Sequence, residues 1–156
     1  MKQKIPFILN GKDVSLQVDP LKRLIDILRD DFSMISVKEG CGEGECGACS
    51  VLLDGEIVNS CLIPVGTVAG SSIETVEGIR DSESGKRIIQ AFAAEGAVQC
   101  GYCTPGMMVG AEWILRKYKN PTAEEIRIAL SGNLCRCTGY DMIINAVEAA
   151  VKGGEL

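Results

Sequence analysis

Residues 37–61 read VKEGCGEGECGACSVLLDGEIVNSC, and this stretch is the most informative feature of the chain. Its cysteines, Cys41, Cys46, Cys49 and Cys61, follow the spacing C-x4-C-x2-C-x11-C. Glycines alternate with the first three of them. Because glycine tolerates positive φ, the chain can wrap tightly and point several main-chain N–H groups inward. The pattern predicts a loop in which four thiolates surround an inorganic core.

The spacing indicates which core to expect. Plant-type ferredoxins hold a 2Fe-2S cluster with C-x4-C-x2-C and a fourth cysteine that arrives later in the chain. Such a cluster carries a formal charge of about −2 when oxidised and about −3 when reduced, so inward N–H donors would stabilise it. Glu43 and Glu45 lie inside the loop, and we expect both to face water or a partner, because charged side chains are seldom buried unpaired.

A second group of four cysteines occupies the C-terminal half. Cys100 and Cys103 form C-x2-C, Cys135 and Cys137 form C-x-C, and 31 residues separate the two pairs. Thr104 before Pro105 predicts a helix N-cap, and Thr138 predicts a cap for a helix that runs through Val151. Both pairs would then lie at helix N-termini, where the dipole favours anionic ligands. We interpret this group as a second metal cluster between helices.

The eight cysteines also allow three other interpretations. Disulfides belong to oxidising compartments, but the chain begins MKQKIPFILNG without an apolar signal segment, so we expect a cytoplasmic protein. Two zinc sites are the stronger alternative, although C-R-C is a poor zinc hook. A thioredoxin-like dithiol at C-G-Y-C needs no second pair of cysteines.

Composition excludes several function classes. The 156 residues contain no histidine, no phosphate-binding glycine motif and no nucleophile beside a base, so substrate chemistry must occur on another chain. A formal charge of −5 disfavours nucleic acid, which requires clustered Lys and Arg. No apolar run is long enough to span a membrane.

Residues 1–78 are typical of a β-rich domain. KIPFILNG and DVSLQVD predict two strands around an Asn-Gly turn. A short helix should follow, with Asp19 as cap, Pro20 at its first position and an apolar face of Leu21, Leu24, Ile25 and Leu28. After the cysteine loop come the strand SVLLDG with a turn at Asp54 and Gly55, and further strands through Ile57, Val58, Ile73 and Val76. This order favours a β-grasp ferredoxin domain.

The pattern becomes helical after a linker at 79–84. Four segments within 85–156 carry apolar residues at i, i+3 and i+4, and Thr122 with Glu125 predicts a capping box. Short connections between four helices predict a bundle. The predicted fold class is therefore α+β, with a plant-type ferredoxin domain followed by a four-helix domain that binds a second 2Fe-2S cluster.

Taken together, CGEGECGACSV, the later Cys61, AVQCGYCTPGM and LSGNLCRCTGY resemble the small iron-sulfur subunit of the xanthine oxidase family of molybdenum hydroxylases. The resemblance covers nearly the whole chain. It implies a β-grasp domain and a four-helix domain that each hold a 2Fe-2S cluster, with all eight cysteines as ligands. It also implies that Gln99 hydrogen-bonds the pterin of the molybdenum cofactor.

The resemblance further implies the partners. A molybdenum subunit would carry molybdopterin, expected as the cytosine dinucleotide, and a flavin subunit would carry FAD, in a dimer of heterotrimers. Electrons would run from the molybdopterin through both clusters to the flavin. We expect a purine or other N-heterocycle as substrate, with carbon monoxide or an aromatic acyl-CoA as alternatives. The alternative class of protein is a free-standing ferredoxin with two clusters.

Overall fold

The computed structural model describes residues 1–153, and these residues form an α+β chain with one mixed sheet followed by helices. The strands are β1 (Gln3–Leu9), β2 (Lys12–Val18), β3 (Ser50–Leu53), β4 (Glu56–Asn59) and β5 (Ser72–Glu74), in the order β2-β1-β5-β3-β4. Only β1 and β5 pair in parallel. Both predicted turns are confirmed, because Asn10, Gly11, Asp54 and Gly55 all have positive φ.

The first helix begins later than the sequence predicts. Helix α1 (Leu24–Asp26) continues as a π-helical turn at Ile27–Asp31, and Leu21 is 79% exposed instead of packing inward. The prediction of Asp19 as cap and Pro20 as first residue is therefore wrong. The main-chain carbonyls of Pro20 and Lys22 accept hydrogen bonds from residues 66 and 65, and residues 19–22 form a turn closed by the Lys22 N–H on the Asp19 carbonyl.

The remaining helices follow the sheet. They are α2 (Val76–Ile79), α3 (Glu83–Ala94), α4 (Thr104–Lys117), α5 (Ala123–Ala129) and α6 (Asp141–Val151). Val76 starts α2 and is not a strand residue, which corrects the prediction. The predicted capping box of Thr122 and Glu125 is confirmed. The end of the predicted C-terminal domain, residues 154–156, lies outside the described residues.

Two predicted helix caps are wrong. Cys103, one residue before Thr104, is the N-cap of α4. Tyr140 is the N-cap of α6, and the Thr138 hydroxyl contacts the Cys135 sulfur instead of a helix N–H. At α4 a cysteine occupies the cap position itself. At α6 a cysteine sulfur accepts the hydrogen bond of the threonine hydroxyl. Rules for helix caps consider neither case.

Each half has its own apolar core, and α4 joins them. One core lies beneath the sheet against α1, and the other lies among α3, α4, α5 and α6. A small third cluster, formed by Leu52, Ile79 and Val109, packs α4 against β3. The long helix is therefore the element that fixes the position of the second cysteine group relative to the sheet. No helix among residues 1–153 is long and apolar enough to cross a membrane.

Candidate metal centres

The first cysteine group lies on the glycine loop before β3, and Cys41 is at its exposed tip. The main-chain N–H groups of Glu43 and Glu45 point to Cys41 Sγ at 3.4 and 3.3 Å. These amides, with that of Cys46, lower the pKa of the Cys41 thiol to about 7. The Glu43 and Glu45 side chains themselves are exposed, as predicted. The loop therefore favours an anionic sulfur while its carboxylates stay in water.

Close approach explains one of the loop glycines. A Cβ on Gly40 would lie 2.8 Å from Cys46 Sγ, a separation that real Cβ atoms do not show. Gly40 therefore leaves room for the sulfur. Cys49 and Cys61 form the inner side of the group, with exposures of 2% and 4%. Burial raises the pKa of the Cys49 thiol to about 11.

The second group is held by the helical half. Cys103 caps α4 and Cys100 precedes it, which confirms that this pair lies at a helix N-terminus. Cys135 and Cys137 lie in the loop before α6. Burial by itself would raise the pKa of Cys135, but hydrogen bonds from the Thr138 hydroxyl and nearby main-chain amides outweigh it and lower that pKa. Burial raises the pKa of Cys103 to about 12.

The shifted thiol pKa values depend on cysteines of the same group. Cys46 affects the pKa of Cys41, Cys61 that of Cys49, Cys135 that of Cys103, and Cys100 that of Cys137. All eight are free cysteines. Among residues 1–153 no three Cys, Asp or Glu side chains converge as on a single ion. Each group offers four thiols, which is the number of cysteine ligands that a 2Fe-2S cluster takes.

The two groups are directly connected. The Leu134 main-chain N–H, one residue before Cys135, donates to the Cys46 carbonyl at 2.9 Å. The buried Asn133 amide donates to the Gly47 carbonyl at 3.0 Å and to Ser50 Oγ at 3.1 Å. The loop after α5 and the first cysteine loop are therefore hydrogen-bonded to each other beside their cysteines.

Gln99 is exposed and lies immediately before Cys100. The sequence analysis missed Asn133 and Leu134, and it gave Thr138 the role of a helix cap instead of a contact to Cys135. All three belong to the segment LSGNLCRCTGY, so proximity to Cys135 was a usable signal. The partners of Asn133 and Leu134 could not be read from that segment, because Gly47 and Cys46 are remote in sequence.

Comparison with known proteins defines the class. Residues 7–72 match the family described as 2Fe-2S iron-sulfur cluster binding domain, and residues 75–148 match the family described as 2Fe-2S binding domain. With two such domains in tandem and eight cysteines in two groups, the chain is a carrier of two 2Fe-2S clusters.

The chain is 51% identical over 144 residues to the nicotinate dehydrogenase small FeS subunit of Eubacterium barkeri, covering 92% of each chain. It is 46% identical to the xanthine dehydrogenase iron-sulfur-binding subunit of Escherichia coli O157:H7, covering 89% of this chain and 88% of that one. A chain in the crystal structure of quinoline 2-oxidoreductase from Pseudomonas putida 86 superposes with a TM-score of 0.89 at 40% identity, covering 98% of each.

The chain belongs to the small iron-sulfur subunits of the xanthine oxidase family of molybdenum hydroxylases. Within an oxidoreductase complex it is the subunit that transfers electrons.

Proposed function

We propose that Cys41, Cys46, Cys49 and Cys61 hold one cluster in a β-grasp domain at 1–78. A four-helix domain at 85–156, after a linker at 79–84, holds the other through Cys100, Cys103, Cys135 and Cys137. The thiol pKa values support this division, because the cysteines that influence one another belong to the same group. When bound, each cluster accepts and releases one electron at a time.

The protein's own contribution is a short connection between the two groups. From Cys135 the path runs through one peptide unit to the Leu134 N–H and across a 2.9 Å hydrogen bond to the Cys46 carbonyl. The surrounding contacts are buried, since Asn133 is 4% and Ser50 5% exposed. Asn133 holds the geometry beside the connection through its hydrogen bonds to the Gly47 carbonyl and Ser50 Oγ.

The proposed direction of transfer comes from the family resemblance, and each group has an exposed cysteine that could face a partner. Cys100 and Cys137 are exposed beside Gln99, and Tyr102 and Leu134, exposed by 49% and 54%, lie close to them in sequence. We assign this face to the molybdenum subunit, with Gln99 toward the pterin. Cys41 is exposed at the far end of the first group, beside the loop carboxylates. We assign that end to the FAD subunit, so electrons leave through it.

The partners and substrate are inferred from the relatives. Subunits named for nicotinate and xanthine dehydrogenases, and the quinoline enzyme, all act on N-heterocycles by their names. We therefore expect a purine or another N-heterocycle as substrate of the complex. A molybdopterin subunit, expected with the cytosine dinucleotide, and an FAD subunit would complete it, assembled as a dimer of heterotrimers in the cytoplasm.

The match of residues 7–72 and 75–148 to two 2Fe-2S domain families, each stretch with four free cysteines, is the observation that carries the cluster assignment. Iron and acid-labile sulfide analysis of the purified chain tests it. We expect about four iron atoms and about four sulfides per chain, because each 2Fe-2S core contains two of each. Zinc in place of iron would overturn the assignment. The chain alone should oxidise no heterocycle, and activity should require the partner subunits.

Gln99 gives a separate test of the orientation. Gln99→Ala should remove one or two hydrogen bonds to the pterin, each worth about 0.5 to 1.5 kcal/mol. Both clusters should still assemble, because the side chain is exposed. Molybdenum content and stopped-flow reduction of each cluster by substrate measure the effect in the assembled complex. Gln90→Ala, at an exposed position on α3, is the matched control. Full molybdenum content with wild-type rates in Gln99→Ala would contradict the orientation.

A further inference from the structure

The loop between Cys135 and helix α6 folds back onto the Cys135 sulfur. The Thr138 hydroxyl donates to Cys135 Sγ at 3.0 Å, and the Thr138 main-chain N–H points to the same sulfur at 3.5 Å. Tyr140 closes the loop, because its hydroxyl accepts a hydrogen bond from the Cys135 main-chain N–H at 3.0 Å. One side-chain hydroxyl and one main-chain N–H of this loop therefore contact a single sulfur, and the Tyr140 hydroxyl holds the main chain of the same cysteine.

The direction of the hydroxyl bond is set by a neighbour. A threonine hydroxyl has one hydrogen and two acceptor lone pairs. The Tyr140 main-chain N–H donates to Thr138 Oγ1 at 3.3 Å and occupies one of those lone pairs. The hydroxyl hydrogen is thereby left for the sulfur. Tyr140 has a φ of 73°, a left-handed conformation uncommon for a residue other than glycine, at the point where the loop turns into α6.

We propose that Thr138 raises the reduction potential of the second centre by donating this hydrogen bond to one of its sulfur ligands. The inference rests on the proposed function, in which Cys135 is a ligand. An added electron makes the centre more negative, so a donor aimed at a coordinating sulfur stabilises the reduced form more than the oxidised form. The Thr138 side chain thus sets, in part, how readily the second centre takes up an electron.

The first centre has a different arrangement of donors. Cys41 Sγ receives main-chain N–H groups, which no side-chain substitution removes. The Ser60 hydroxyl, although it lies next to Cys61, donates to the Cys49 carbonyl at 2.7 Å. A variant at Thr138 should therefore affect one centre and leave the other as an internal reference in the same molecule.

The test uses the full chain with both clusters and a redox titration followed by electron paramagnetic resonance. Thr138→Val removes the hydroxyl and keeps the shape of the side chain. We expect the second centre to become harder to reduce by about tenfold in its equilibrium constant, which is about 59 mV for one electron. The midpoint of the first centre should not move. Thr138→Ser retains a hydroxyl and should restore most of the wild-type potential.

Thr104→Val is the matched control, since Thr104 follows Cys103 directly and is also partly buried. It should leave both potentials unchanged. A wild-type potential in Thr138→Val, or an equal shift in Thr138→Ser, would overturn the proposal. Thr138→Ala repeats the test if valine disturbs the loop, and loss of the second cluster in both variants but not in Thr138→Ser would show a role in assembly instead. A wild-type chain with only one paramagnetic centre would contradict the ligand groups, which is a separate failure.

Discussion

The two cysteine groups hold the same set of ligands by different means. The first is a glycine loop whose main-chain N–H groups point at Cys41, and its inner cysteines are almost fully buried at the edge of a sheet. The second is assembled from the start of α4 and the loop before α6, and none of its four cysteines is fully buried. A side-chain hydroxyl, that of Thr138, contacts one of its sulfurs.

This difference shows where each site can vary. Main-chain donors are fixed by the fold, so the environment of Cys41 changes only if the loop changes shape. A hydroxyl donor can be gained or lost through one substitution. The helical centre is therefore the one whose properties can be adjusted without rebuilding the loop around it.

Removing a single cysteine ligand should have the largest effect, because it should affect one centre and spare the other. Cys46→Ser should abolish the paramagnetic signal of the first centre and leave that of the second, and Cys135→Ser should do the reverse, because each proposed cluster takes its four ligands from one group. Iron content should fall by about half in each variant. Loss of both signals in a variant that remains folded would show that the ligands are divided incorrectly.

Gly47→Ala should give the next largest effect. Gly47 has a φ of 68°, and a Cβ there would lie 2.4 Å from the Gly132 carbonyl oxygen. The left-handed backbone costs a non-glycine residue about 1–2 kcal/mol, and the overlap with main chain from the other half adds to that. We expect the free energy of unfolding to fall by about 3 kcal/mol, measured by urea denaturation followed through cluster absorbance.

Gly55→Ala separates the two causes. Gly55 also has positive φ, at 84°, but a Cβ there would meet no atom within 4 Å. Its variant should lose only the backbone contribution of about 1–2 kcal/mol. Equal destabilisation in the two alanine variants would mean that the contact between Gly47 and Gly132 does not matter.

Asn133→Leu should have a smaller effect, limited to the junction between the loop after α5 and the first cysteine loop. The substitution keeps the branching and the number of side-chain heavy atoms but removes the donors to the Gly47 carbonyl and Ser50 Oγ, and we expect a loss of about 1–3 kcal/mol. Asn145→Leu, at an exposed position on α6, is the control. Urea denaturation compares their stabilities. The magnetic interaction between the two reduced centres should also change in Asn133→Leu, and an unaltered interaction with wild-type stability would contradict a role at the junction.

Local patterns carried much of the sequence analysis. The hairpin at Asn10 and Gly11 and the capping box at Thr122 and Glu125 depend on a few adjacent residues, and both are present. Cysteine spacing predicted two groups of four thiols, because a ligand loop must satisfy its geometry within a short segment, and this division stays a prediction.

The wrong predictions concern backbone or side-chain groups that form a hydrogen bond outside the predicted helix. Pro20 fits the start of a helix, but its carbonyl accepts from the Gly66 N–H, so the helix begins at Leu24. Thr138 fits an N-cap, but a sulfur three residues earlier takes its hydroxyl. The contact between the two halves at Gly47 joins positions far apart in the chain, and no local signal in the sequence predicts it.

The hydrogen bond from the Leu134 N–H to the Cys46 carbonyl also bears on the order of events during synthesis. A ribosome delivers all four cysteines of the first group well before Leu134 emerges. The loop that surrounds them therefore lacks one of its fixed contacts until the last helices form. We expect a chain truncated before Leu134 to keep its iron less firmly than the full chain does, so that metal loading of the first centre is completed by the C-terminal half.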